Sequence, residues 1–136
     1  MAYKFEQLDV WQMSLGYVDL IYTLSEQFPR SEEYNLKSQI RRAATSVALN
    51  IAEGSTGQSD AEQARFLGMA IRSLIETIAC IHIVRRRNYF EDKALLDQAY
   101  EQSQPLAKKL QSFRKSLSPS SYQVREDNPL YDTNEL

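Results

Sequence analysis

Two arginine clusters are the residues whose type and spacing point most clearly to binding chemistry. Arg41 and Arg42 are adjacent at the head of a small, apolar stretch, and Arg85, Arg86 and Arg87 form an unbroken run. Guanidinium groups are planar, always charged and suited to phosphate oxygens. A surface with several of them can bind nucleic acid through its backbone, without sequence readout and with strong salt dependence. The competing interpretation is that these arginines pair with acids or keep the surface soluble.

The net charge of −2 for 136 residues argues by itself against a nucleic-acid-binding protein. The charge is unevenly distributed, however. Residues 118–136 hold four acids and one arginine, so they carry −3 and leave +1 on residues 1–117. Because local potential matters more for binding than total charge, both interpretations of the arginines stay open.

Glu76 is the acid whose surroundings suggest a structural role. It stands between Leu74 and Ile78 in a mostly apolar stretch, where a buried carboxylate would need a cation or several donors. The alternative is a glutamate at the rim that reaches solvent. On a helical wheel Arg41 flanks the core and could reach Glu76 or a neighbouring subunit, whereas Arg42 points outwards, to a subunit interface or a phosphate. The candidate structural polar network comprises Arg41, Glu76, Asn50 and Glu53.

Catalytic and metal-binding patterns are weak. The single histidine, His82, lies two residues from the single cysteine, Cys80, and residues two apart on a helix point about 200° away from each other. A Cys–His nucleophile pair is therefore not expected, and no ligand spacing supports a zinc site. The stretch GSTGQS at 54–59 lacks the Gly-Lys-Ser/Thr end of a phosphate-binding loop. We expect no enzymatic activity, no metal and no cofactor.

The elements that must position these residues are helices. Apolar residues recur with a period of 3.6, and only four glycines and four prolines interrupt the pattern. The sequence predicts helices over residues 9–27, 31–54, 60–87 and 91–117, the second with a break near residues 34–35. Asp9 is a predicted N-cap, and Ser59 begins the capping box SDAE. Gly54 and Asn88 are predicted helix ends, and Pro105 is expected to kink or open the fourth helix.

Four long helices with short connections predict an all-α, antiparallel up-down-up-down four-helix bundle over residues 1–117. Residues 118–136 are predicted to form a flexible, acidic C-terminal tail. The first helix carries two apolar stripes, more than one partner helix requires, which indicates a homo-oligomer. The stretch MAYKFEQLDVW lacks the basic head and apolar run that we would expect of a secretory signal, and no apolar run reaches the length of a membrane span. We therefore expect a cytoplasmic protein.

The chain resembles the four-helix-bundle family named after proteins encoded in intervening sequences of bacterial large-subunit ribosomal RNA genes. The family's opening is similar to FEQLDVWQMSLGYVDLIY at 5–22, and the most specific match is FPRSEEYNLKSQIRRAATSVALNIAEG at 28–54. The third helix matches at Phe66, Leu67, Ala70, Ser73, Leu74 and Glu76. This chain departs from the family where Arg72 replaces a common glycine and where residues 78–80 replace polar positions.

The resemblance implies an antiparallel bundle that assembles as a homopentameric ring. Accessory proteins of diversity-generating retroelements are similar; they bind nucleic acid through basic surfaces and associate with a reverse transcriptase. The expected partners are therefore further copies of this chain, RNA or DNA, and a reverse transcriptase or another protein.

Two functions follow from these observations as hypotheses. The first is a non-enzymatic oligomer that binds RNA or other nucleic acid through Arg41, Arg42, Arg85, Arg86 and Arg87. The second is a protein–protein scaffold or adaptor with no nucleic-acid role. The acidic total charge and the wide apolar face of the first helix favour this hypothesis.

Overall fold

The structure, a computed structural model, describes residues 2–56 and 59–117. Within these ranges the chain forms four α-helices: α1 at Asp9–Ser25, α2 at Leu36–Gly54, α3 at Asp60–Arg87 and α4 at Ala94–Leu117. Short 3₁₀ turns at Lys4–Gln7 and Arg30–Glu32 precede α1 and α2. The predicted four-helix architecture is confirmed, and the predicted tail lies outside the described residues.

The helices form an antiparallel bundle in which each packs against two neighbours, in the cyclic order α1, α2, α3, α4. At one end Asp9 at the start of α1 lies 3.7 Å from Lys109 late in α4, as antiparallel packing requires. The shared core consists of the apolar stripes read from the sequence, and its largest fully buried side chains are Tyr17, Ile21, Leu24, Ile40, Ile51, Leu67, Ile71, Leu74, Ile81, Leu96, Leu106 and Leu110. Removing these stripes from water supplies the main driving force for folding.

One hydrogen bond crosses the core. The hydroxyl groups of Tyr17 and Thr77 lie 2.7 Å apart and both residues are buried, so α1 is tied to α3 across the bundle. Thr77 also donates to the backbone carbonyl of Leu74. Burial raises the pKa of Tyr17 to about 12, although the bond to Thr77 acts in the opposite direction.

The bounds of α3 agree with the prediction because its end signals are local. The Ser59 hydroxyl accepts a hydrogen bond from the backbone N–H of Glu62 at 3.1 Å. Asn88 adopts the left-handed conformation, with φ of 58°, and closes the helix. By length and composition alone, α3 could cross a membrane. In the bundle, however, 44% of its most apolar stretch is buried against the other helices.

Four other helix ends differ from the predictions. α2 begins at Leu36 instead of residue 31, after the predicted break. Leu8 rather than Asp9 is the N-cap of α1, and it makes no side-chain capping bond. α1 ends at Ser25 instead of residue 27. α4 begins at Ala94 instead of residue 91, because the Asp92 carboxylate accepts from the backbone N–H of Ala94 at 2.9 Å. α4 continues through Pro105, which lies on its exposed side.

The second apolar stripe of α1 lies at the surface. Trp11, the first residue of this stripe, is covered by the Lys4–Gln7 turn: the Phe5 ring packs edge-to-face on the Trp11 ring, with centroids 4.7 Å apart. Further along, Leu15 and Tyr22 are 38% and 40% exposed, and Leu49 on α2 is 54% exposed. The antiparallel register of α1 and α2 brings these three residues to one side of the bundle, and we call them the α1–α2 apolar surface.

Candidate nucleic-acid interface

The antiparallel topology brings both arginine clusters to one end of the bundle. Arg41 and Arg42 lie in the second turn of α2, and residues 85–87 form the last turn of α3. The start of α2 and the end of α3 meet at the same end because the two helices are antiparallel neighbours. We call Arg41, Arg42, Arg85, Arg86 and Arg87 the arginine end.

Arg41 is held in place by α1. Its Nε donates to the Ser25 hydroxyl at 2.7 Å, and one of its terminal nitrogens pairs with Glu26. Its guanidinium also lies over the Tyr22 ring, 4.5 Å from the centroid. The hydrogen bond from Arg41 lowers the pKa of Glu26. Arg41 therefore forms an ion pair with Glu26, whereas the sequence analysis named Glu76 or a neighbouring subunit as its partner.

Two arginines of the α3 run also have partners. Arg85 pairs with Asp97 on α4 at 2.8 Å. Arg87 lies beside Tyr89, with its Nε 3.4 Å from the phenol oxygen and its guanidinium 5.9 Å from the ring centroid. The Tyr89 hydroxyl in turn donates to Glu32 at 2.5 Å. These contacts join α3, the connection that follows it and the connection before α2.

Arg42 and Arg86 differ from the other three. Both are exposed, and within residues 2–56 and 59–117 neither has an acidic partner within ion-pair distance. Their guanidinium groups can therefore bind an anion without first giving up an internal contact. Of the five predicted phosphate contacts, these two are the most available.

A groove of about 800 Å³ runs along the outer side of α2, next to the arginine end. Tyr22 contributes from α1, and Glu33 and Tyr34 contribute from the connection before α2. Tyr34 is 96% exposed. The remaining lining residues recur at helical spacing along α2: Lys37, Ser38, Arg41, Arg42, Thr45, Ser46 and Leu49.

The predicted polar network is wrong in its connections. Glu76 is exposed on α3, so the solvent-facing alternative holds, and Arg41 pairs with Glu26 instead. Glu53 is exposed as well. Asn50 is buried and donates to the backbone carbonyl and hydroxyl of Ser46 in the preceding turn. The polar contact between α2 and α3 is formed by two serines, with Ser73 donating to Ser46 at 2.9 Å.

The single cysteine and the single histidine have different surroundings. Cys80 is buried, and burial raises the pKa of its thiol to about 11, so the thiol is protonated at neutral pH. His82 is exposed and packs edge-to-face on Tyr100, with centroids 5.8 Å apart. In the described ranges, no three His, Cys, Asp or Glu side chains are grouped as metal ligands.

Sequence reasoning missed the aromatic residues of this region. Tyr34 lies in the polar stretch SEEYN, outside every apolar stripe, which is the signal that would have marked it as exposed. Tyr22 belongs to the second apolar stripe of α1, but its contact with Arg41 depends on how α1 and α2 are rotated about their axes. The Glu32–Tyr89 bond joins residues 57 positions apart and has no local signal.

The fold and this region define a class of protein: an all-α four-helix bundle with cationic groups gathered at one end. The model of the 23S rRNA-intervening sequence protein family matches residues 6–112. The chain therefore belongs to the 23S rRNA-intervening sequence protein family. This finding confirms the family resemblance seen in the sequence.

A solved structure supports the same fold. It is the crystal structure of a protein of unknown function from the S23 ribosomal protein family of Bacteroides thetaiotaomicron, with a TM-score of 0.71 and 26% sequence identity. The similarity covers 78% of this chain and 98% of that one. No curated protein matches the chain.

Proposed function

We propose that the protein is a non-enzymatic, cytoplasmic oligomer that binds RNA or other nucleic acid through backbone phosphates at the arginine end. The observation that carries this proposal is that both arginine clusters lie at one end of the bundle. There, Arg42 and Arg86 have no acidic partner among residues 2–56 and 59–117. Arg41 and Arg85 act mainly by keeping the helices in place through their ion pairs.

Phosphate contacts of this kind have a measurable signature. Each phosphate neutralised by an arginine releases condensed counterions, so the logarithm of the affinity falls with the logarithm of salt concentration. Removing one such contact reduces that slope by about 1 and weakens binding to all sequences alike. Loss of a structural arginine would instead lower stability.

Binding to a fluorescent structured RNA at two salt concentrations tests the proposal. We expect salt-sensitive binding by the wild type, and at least a tenfold loss with a shallower salt slope in the double variant Arg42→Gln/Arg86→Gln. Arg72→Gln is the matched control, since Arg72 is also exposed but lies midway along α3. Absence of salt-sensitive binding at micromolar protein would overturn the proposal, as would equal losses in the control.

The oligomeric part of the proposal is supported by the α1–α2 apolar surface. Exposed Leu15, Tyr22 and Leu49 on one side of a monomer would be covered by a second copy. The family resemblance implies a pentamer, hence a mass five times 15.7 kDa in light scattering. We expect Leu49→Glu to lower that mass, whereas Ile83→Glu, at an equally exposed position of α3, leaves it unchanged.

The same surface favours a second candidate function, that of a scaffold for another protein, such as a reverse transcriptase. An apolar patch is a common feature of protein interfaces. In this case a pull-down from nuclease-treated lysate should recover a specific protein with the wild type but not with Leu49→Glu. Loss of every partner on nuclease treatment would count against this function.

A further inference from the structure

The groove beside α2 provides two kinds of contact within one recess. We propose that it binds single-stranded nucleic acid, with an unstacked base on the ring of Tyr34 and a backbone phosphate on the guanidinium of Arg42. This inference rests on the nucleic-acid binding proposed above and specifies the strandedness of its ligand.

The charge of the groove fits a polyanion. Its lining contains three cationic side chains, of Lys37, Arg41 and Arg42, and one acidic side chain, of Glu33. This excess of positive charge stands against a net charge of −2 for the whole chain. Lys37 and Arg41 already have acidic partners, so Arg42 is the group that a phosphate would engage first.

The aromatic side chains provide the second contact. Tyr34 is 96% exposed, an unusual state for a large aromatic residue at the edge of a groove. One face of the other aromatic ring, of Tyr22, is covered by Arg41. The Tyr34 ring is therefore the available stacking platform. Stacking of bases on exposed aromatic rings beside cationic grooves is how many proteins hold single strands without sequence preference.

The size of the groove favours a single strand over a duplex. A volume of about 800 Å³ is in the range of small-molecule sites and can hold a few unstacked nucleotides, whereas a double helix could only lie across its mouth. Bases inside a duplex are also stacked on each other and cannot reach the Tyr34 ring. Tyr22 and Leu49 belong to both the groove and the α1–α2 apolar surface, whereas Tyr34 and Arg42 belong to the groove alone.

Fluorescence anisotropy with a labelled 12-nucleotide RNA, alone and annealed to its complement, tests the inference. We expect the full chain to bind the single strand at least tenfold more tightly than the duplex. Tyr34→Ala should weaken single-strand binding about five- to hundredfold, whereas Tyr34→Phe keeps the ring and the affinity. Tyr3→Ala, at an exposed tyrosine of the opposite end, is the matched control and should bind like the wild type.

The outcomes separate this inference from the proposed function. Equal affinity for single strand and duplex, or wild-type affinity of Tyr34→Ala, would overturn the single-strand inference and leave phosphate binding at the arginine end in place. Binding of neither RNA would overturn the proposed function and the inference together. A circular dichroism spectrum and melting curve equal to wild type show that Tyr34→Ala is folded.

Discussion

Glu32 should contribute more to stability than its place in a short connection suggests. Its side chain is buried, and its two oxygens accept hydrogen bonds from three donors: Asn35 Nδ2 at 3.0 Å, the backbone N–H of Leu36 at 3.4 Å and the Tyr89 hydroxyl at 2.5 Å. Glu32→Gln keeps the shape but replaces a charged acceptor by a neutral amide, one end of which is a donor. Hydrogen bonds to charged groups contribute about 1.5–3 kcal/mol and neutral ones about 1 kcal/mol. We expect Glu32→Gln to lose about 1–3 kcal/mol at pH 7.

Urea unfolding at a fixed protein concentration, followed by circular dichroism, measures this loss. With the m-values of small domains, the midpoint should fall by about 1 M. Glu33→Gln is the matched control, because Glu33 is exposed and its ion pair in the described part of the chain is with Lys37, four residues further on. Such a pair contributes about 0.5 kcal/mol. A wild-type midpoint for Glu32→Gln, or an equal shift in Glu33→Gln, would refute the reasoning.

The pH dependence gives a second check on Glu32. The hydrogen bond from Tyr89 lowers the pKa of Glu32, aided by Asn35 and the Leu36 backbone and opposed by burial. A carboxyl whose folded pKa lies below its unfolded pKa stabilises the fold above the unfolded pKa, about 4.3, and this contribution is lost as pH falls through the folded pKa. The difference between wild type and Glu32→Gln should therefore be constant near neutrality and shrink below about pH 4. A difference that grows on acidification would contradict this assignment.

Three further predictions concern the bundle. Tyr17→Phe should cost about 1 kcal/mol at pH 7. Because the pKa of Tyr17 is raised from 10 to about 12, wild type should also lose stability as pH rises through that window, and urea titrations at several pH values should show a smaller loss in the variant. Gly16→Ala should raise the free energy of unfolding by about 0.5–1 kcal/mol, since a Cβ there meets nothing within 4 Å in a helix. Gly54→Ala should lower it by about 1–3 kcal/mol, because its Cβ would lie 2.9 Å from a side-chain carbon of α3; thermal melts compare the two. Arg41→Gln should lower the melting temperature through loss of its contacts with α1, whereas Arg42→Gln leaves it nearly unchanged, as differential scanning fluorimetry can measure.

Much of the fold could be predicted because its signals are local. The bounds of α3 follow from the Ser59 cap and from the left-handed Asn88, both readable in a few residues. The break before α2 was also readable from the sequence. The bond from Tyr89 to Glu32 could not be read from the sequence, since it depends on where the α3–α4 connection lies.

The candidate site was predictable in composition but not in its contacts. The sequence identified the arginines, and the antiparallel pattern places both clusters at one end. Which arginine pairs with which acid depends on the rotation of each helix about its axis, and periodicity determines that only to within tens of degrees. Arg41 therefore reaches Glu26, just after the end of α1, and Glu76 faces solvent on α3.

In a cyclic homopentamer, the arginine ends of all copies would lie on the same face of the ring. Rotation about a symmetry axis leaves the height along that axis unchanged, so every copy would present its Arg42 and Arg86 at the same level of the ring. A long RNA lying across that face could engage several copies at once, and the second contact would form at a high effective concentration. Individually weak phosphate contacts would then add up to tight binding through avidity.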